Sequence, residues 1–289
     1  MKTKLTISRY TNTNGTQDSI LARIVYYIVL TVFAVFALFP FYWMVITALR
    51  PASEVLQRPP KLWPSQFHFE NIVHGLTIEP FADFFKNSLI VAVVAVTVTA
   101  FINLLAGFAF AKYRFRGRTF LFLIVLSTLM IPQQITMVPN FIIVSKLGWL
   151  NSYAGLIVPT CAEAFGLFLS RQFITSIPDE LLEAARIDGA GEFRIFRSII
   201  LPSSKPLISV LIIFTFMWRW NDFLWPLVVV NNKKMYTVQL GLAMMQGENF
   251  INWNDLMAAA SIVALPAVLV FFIFQKQFVQ GVTTTGMKD

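Results

Sequence analysis

A short polar island inside an otherwise apolar stretch holds the most reactive residue types in this sequence. Arg219, Asn221 and Asp222 stand beside Trp218, Trp220 and Trp225. Indole faces pack against the C–H faces of ring compounds, and amide and carboxylate groups donate to and accept from hydroxyls. The set suits a polyhydroxylated solute. A second reading stays open: Arg219 and Asp222, at i and i+3, form a structural pair near a membrane boundary, with the tryptophans as an interfacial belt. A charge near a bilayer centre costs about 2.5–3.5 kcal/mol, so these groups must face protein or water. Gln133 and Gln134, between Pro132 and Pro139, are further lining candidates, whereas Glu163 and Asn103 read as residues buried against neighbouring helices.

A second constellation lies in a polar segment, 176–202. Ser176-Ile177-Pro178-Asp179 has the spacing of a capping box with Pro in the first turn, and Asp179, Glu180 and Glu183 sit where a helix dipole favours acids. Gly189-Ala190-Gly191 predicts the stop, because left-handed backbone costs glycine little. Another short helix is expected over about 192–200, with Phe193, Phe196 and Ile200 at helical spacing and Arg194 and Arg197 as its bases. Two helices this short bury little alone and need a surface to lean on.

What must position these groups is a bundle in a membrane. Of 289 residues, 56% are hydrophobic and 13% charged, and mean hydropathy is +0.66. Soluble domains run at roughly 45–50% apolar and about 25% charged. The apolar stretches approach the roughly 20 residues a helical span needs. Spans are expected at 21–48, 86–111, 119–143, 152–174, 206–230 and 256–278, with polar tails at 1–20 and 280–289. The segment 49–85 reads as a small external loop. The fold class is therefore all-α membrane protein with about six transmembrane helices. Lys112, Arg114, Arg116 and Arg118 follow the second span, Arg171, Arg186, Arg194, Arg197 and Lys205 cluster around the polar segment, and Lys2, Lys4, Arg9 and Arg23 mark the start. By the positive-inside rule these segments and both termini face the cytoplasm. Lone Cys161 excludes a disulfide framework, and His68 and His74 lack zinc-site spacing. No G-x-x-x-x-G-K-[ST] string is present, so no P-loop nucleotide site is expected here. The net charge of +8 is a topology signal and does not point to nucleic acid.

Glu183-Ala184-Ala185, three residues, Gly189, nine residues, then Ile199-Ile200-Leu201-Pro202 resembles the EAA loop of ABC-importer membrane subunits. The string Glu183–Ala190 is similar to the carbohydrate-uptake, maltose-type permeases. Ala164-Phe165-Gly166 through Arg171-Gln172-Phe173, Trp220–Pro226 and Phe278–Thr283 extend the likeness, which is most specific over residues 160–286. The resemblance implies a type I importer permease forming half of a translocation pore in a bacterial or archaeal cytoplasmic membrane. It implies that Glu183, Ala184, Ala185, Asp188, Gly189, Leu201 and Pro202 belong to a coupling loop docking into a groove on an ATPase. Ala184 and Ala185 would keep that helix thin. It further implies that Gly281, Thr283 and Thr284 belong to a tail reaching between two ATPase subunits, against the alternative of a frayed terminus. The expected partners are a second homologous permease, an ATPase dimer, an extracytoplasmic solute-binding protein that meets the loop 231–255 (Tyr236, Phe250, Trp253), against the alternative of a merely solvated loop, the lipid bilayer and a carbohydrate. No cofactor is expected in this chain, ATP and Mg belonging to the ATPase. The competing readings are an ion-coupled secondary carrier, which should show inverted repeats and membrane acids, a membrane-embedded enzyme, which would need convergent catalytic groups, and an ABC permease for a non-sugar solute such as glycerol phosphate.

Overall fold

A computed structural model describes residues 20–246 and 251–285, and all regular structure among them is helical. The chain opens with α1 (Ile20–Leu49), followed by short α2 (Ala52–Val55) and α3 (Glu70–Thr77), then α4 (Phe81–Lys112). Next come α5 (Arg118–Ser127), α6 (Gln133–Lys146), α7 (Tyr153–Ile157) and α8 (Ala164–Thr175). A hairpin of α9 (Asp179–Ile187), α10 (Glu192–Ile195), a π turn at Phe196–Ile200 and α11 (Leu201–Ser203) leads into α12 (Lys205–Trp220). The chain continues through α13 (Leu224–Val229) and α14 (Val238–Met244) to α15 (Trp253–Thr285). Among the described residues, α1, α4 and α15 contain unbroken stretches long and apolar enough to cross a membrane, and three bent helix pairs bring the possible spans to six.

The bends have chemical causes. Pro132 lacks the amide hydrogen that would continue α5, and the chain turns by 104° into α6. The stretch 152–174, expected as one span, is a bent pair: α7, a 3-10 turn containing Pro159, and α8 at 47°. The stretch 206–230 also departs from a single helix: α12 stops at Trp220, where Asn221 and Asp222 interrupt the apolar run, and α13 starts again at Leu224. The second span begins five residues before the hydropathic edge at Lys86, because Pro80 starts it. The segment 49–85 contains α2 and α3, and α15 runs beyond Phe278 into the supposed polar tail.

Helix α4 lies at the centre, with α8 and α12 against it, while α15 packs on α1, α3 and α12. Its buried positions include Ser88, Ala92, Ala95, Thr99, Asn103 and Gly107, a mostly small stripe three or four residues apart. In membranes such stripes permit close helix approach, where lipid offers no hydrophobic drive for association. A Cβ on Gly107 would stand 2.4 Å from the Ser170 Cβ, and one on Gly166 would stand 2.0 Å from Asn103 Nδ2. Three apolar clusters are strung along α4, built around Leu104 and Phe108, around Val91 and Ala95, and around Phe81 and Phe84. The Leu49 end of α1 is tied down by Asn71 and Asn254. Asn71 Nδ2 donates to Ala48 O at 2.9 Å, and Asn254 Nδ2 donates to Thr47 O at 3.0 Å and Arg50 O at 2.8 Å.

Candidate functional site

The hairpin grows directly from the chemistry of its sequence. Gly189 has φ +79° and open space around it, so glycine is required there by backbone conformation alone. The turn closes as Gly189 N donates to Arg186 O at 3.0 Å and Ala190 N to Ala185 O at 2.9 Å. The expected capping box does not form: Ser176 Oγ donates back to Phe173 O at 2.7 Å, and Pro178 occupies the cap. Leu182, Ile195, Phe196 and Ile200 are buried on Leu104 and Phe108 of α4. Ala185 and Leu201 pack against that same cluster, so of the two alanines only Ala184 is left outward. Glu183, Asp188, Gly189 and Pro202 are exposed. With them the hairpin presents Leu181, Ile187 (86% exposed) and Phe193 (69%), an uncovered apolar surface beside acids.

Ion pairs fix the hairpin to the end of α4. Lys112 Nζ donates to Ile177 O at 2.5 Å and to Asp179 Oδ1 at 2.6 Å. Tyr113 OH donates to Glu192, which also receives Arg186 Nε at 2.8 Å and Nη2 at 3.2 Å. The Lys112 ammonium holds the Asp179 carboxyl below its usual range. Arg186 first, then Tyr113, does the same for Glu192. Burial, then the neighbouring Glu192, pushes the Tyr113 hydroxyl up to about 12.

The polar island opens onto a cavity of about 840 Å³ between 128–136, 162–165 and 217–224. Arg219 is its hub: one guanidinium nitrogen reaches Asp222 Oδ2 at 3.3 Å and another Glu163 Oε1 at 3.4 Å. Thr215 Oγ1 donates to Glu163 Oε2 at 3.3 Å. Asp222 Oδ1 accepts from Trp225 N at 3.3 Å, capping the restart of the helix. Gln133, Trp218, Asn221 and Asp222 line the cavity together with Glu163, a group that sequence reading treated as a residue buried against neighbouring helices. Its spacing of 56 residues from Arg219 carries no local signal. Two candidates separate from the site. Gln134 is exposed outside the lining, although its neighbour Gln133 on the first turn of α6 belongs to it. Trp225 borders a smaller adjoining pocket but is only 3% exposed, its Nε1 donating to Gly155 O at 2.9 Å. Trp220, equally buried, donates to Val263 O at 2.9 Å. Asn103 packs on Gly166, as a helix-contact residue should. Gly281, Thr283 and Thr284 fall in the last turns of α15, where the side chains lie outside the described residues. Phe250 likewise lies outside them.

A helical membrane bundle with a braced hairpin and a broken helix at a polar cavity defines the class, a transport permease. Residues 103–284 match the family of binding-protein-dependent transport system inner membrane components, and the chain belongs to that family. It is 35% identical over 258 residues to the arabinooligosaccharides transport system permease protein AraQ of Halalkalibacterium halodurans, covering 88% of this chain and 92% of that one. It is 37% identical over 252 residues to the sn-glycerol-3-phosphate transport system permease protein UgpE of Salmonella typhi, covering 84% and 90%. The fold is shared with a chain of a bacterial ABC transporter involved in the import of the acidic polysaccharide alginate, at 23% identity and a TM-score of 0.79 over 91% of this chain and 98% of that one. Family membership sets aside the ion-coupled carrier and the membrane-embedded enzyme.

Proposed function

We propose that this chain forms half of the pore of an ATP-driven carbohydrate importer and takes its mechanical input through the 176–202 hairpin. The observation that carries this reading is the hairpin's uncovered face, where Leu181, Glu183, Ala184, Ile187 and Phe193 lie together on a rigidly braced support. An apolar face rimmed by charge fits a groove on another protein. The occupant is an ATPase subunit, which supplies the ATP and Mg chemistry, and the hairpin and both termini lie in the cytoplasm. A sister permease completes the pore, and the segment 231–255 on the opposite side receives a solute-binding protein. Closure of the ATPases would draw the hairpins of the two permeases together and rock the pore open to the outside. Released solute would enter beside Gln133, Glu163, Asn221 and Asp222.

Carbohydrate is favoured over a phosphorylated solute by the charge arrangement in the cavity. Among the described residues its lining contains one cation, Arg219, already held by two carboxyl groups. A phosphate would find no further Lys or Arg among the described lining residues, whereas sugar hydroxyls would meet amide, carboxyl and indole groups. Both permease types occur among the relatives, and the charge arrangement of this cavity is what supports the carbohydrate reading.

The hairpin assignment is tested by Glu183→Lys and by Gly189→Asp, which forces a side chain onto positive φ. Each variant should reach the membrane, lose uptake and release the ATPase during purification. Normal transport by both would refute the assignment.

A further inference from the structure

The same helix that holds the hairpin also holds the opposite face of the protein. At its far end Asn87, 3% exposed, donates from Nδ2 to Lys234 O at 2.8 Å and Tyr236 O at 3.0 Å. Its Oδ1 accepts from Tyr153 OH at 2.7 Å. Next to it, Ser88 Oγ accepts from Val238 N at 2.9 Å. Lys233 pairs with Glu79 just before the helix begins. The segment 233–238 is thus fastened to the first turns of α4 by hydrogen bonds to the buried Asn87 and Ser88.

At the other end two consecutive residues grip both arms of the hairpin. Lys112, its side chain 5% exposed, holds the start of α9 through Ile177 O and Asp179. Tyr113 holds the start of α10 through Glu192, and Glu192 is tied to the end of α9 by Arg186. Asn87 and Lys112 are 25 residues apart on one unbroken helix without an internal proline, a separation of about 38 Å at the helical rise. Helices of this kind bend sharply only at Pro, Gly/Ser pairs, π-bulges or inserted water. A rotation or tilt imposed on the hairpin must therefore appear at 233–238.

We propose that α4 is a strut joining the ATPase-facing hairpin to the binding-protein-facing segment, with Lys112 and Tyr113 at one end and Asn87 and Ser88 at the other as positioning residues. The inference rests on the hairpin reading above and adds the route by which the two faces communicate. The strut makes binding-protein docking and nucleotide binding responsive to each other, because coupling between two binding equilibria is reciprocal in free energy, and it carries docking to the ATPases as a change in hydrolysis rate.

The experiment uses the assembled complex in lipid nanodiscs, comparing ATP hydrolysis with and without the solute-loaded binding protein. Tyr113→Phe, which removes one hydroxyl, and Lys112→Met should keep the ATPase attached and basal hydrolysis unchanged. Stimulation by the binding protein should fall at least about fivefold, the low end of ordinary allosteric coupling, and Lys112→Arg should restore it. Asn87→Ala should give the same loss from about 38 Å away. Undiminished stimulation in Tyr113→Phe and Asn87→Ala would overturn the strut, as would loss of the ATPase from Tyr113→Phe, which would confine the clamp to shaping the hairpin. If Glu183→Lys retained its ATPase, the hairpin reading itself would fall, which is a separate outcome.

Discussion

Arg219 sets the terms of the cavity because it is shared between two acids from different parts of the chain. Truncating it would leave two desolvated carboxyl groups facing each other, and breaking a buried pair costs about 3–5 kcal/mol. Arg219→Met should accordingly reduce the amount of protein in the membrane, read by immunoblot. Glu163→Gln is gentler: it keeps the Arg219–Asp222 contact and half-releases the guanidinium. Uptake of a neutral oligosaccharide should persist in that variant, while sn-glycerol-3-phosphate should begin to compete with it. Absence of competition would detach cavity charge from selectivity. The hairpin pairs behave differently toward pH. Asp179 and Glu192 have carboxyl values lowered from 3.8 and 4.5 in the folded chain. Their stabilisation is full above those unfolded values and is lost only as pH falls through the lower folded ones. Tyr113, raised to about 12, keeps its donor proton on the alkaline side. The hairpin should hold its geometry from about pH 5 to pH 9. Spin labels at exposed Ile187 and Phe115 would report this as a constant distance, and a shift inside that window would contradict it.

At the scale of elements, the arrangement depends on how closely α8 approaches α4. Gly107 and Gly166 sit at the contact, each with a neighbour where a Cβ would have to go. Overpacking in a tight contact costs typically 1–3 kcal/mol, and a valine adds two methyl groups beyond the Cβ. Gly107→Val should separate the helices and lower the thermal midpoint of the detergent-solubilised complex, whereas Gly117→Ala, at a turn with open space but positive φ, should cost less. Equal losses would mean that backbone conformation, and not contact, governs α4–α8. The broken helices follow the same logic of local chemistry. Asn221 donates from both N and Nδ2 to Met217 O, at 3.1 and 2.8 Å, and accepts from Gln239 Nε2 at 3.3 Å, which ties the end of α12 to α14.

For the whole molecule, the sequence was most informative where a physical rule is local. Helical class, the stop at Gly189 and the Arg219–Asp222 pair all follow from spacing within a few residues. Continuity of spans was less legible: apolarity runs straight through Pro159 and on both sides of Asn221, so a hydropathic window joins pieces that the backbone separates. Glu163 was invisible as a partner of Arg219 because the fold alone brings them together. Ala185 shows the same limit, since a small residue on a short helix suits either a groove outside or a contact inside, and here it lies half-buried against the Phe108 cluster.

The anchoring of α1 bears on how the protein is made. From Ala22 to Phe41 the helix is exposed along its length, and its fixed end relies on Asn254 at the start of α15. The α1 segment thus finds part of its permanent anchor only when Asn254, 207 residues beyond Thr47, has been synthesised. Until then it waits in lipid, or in the insertion machinery, with the Asn71 tie to Ala48 and Arg50 holding its Leu49 end.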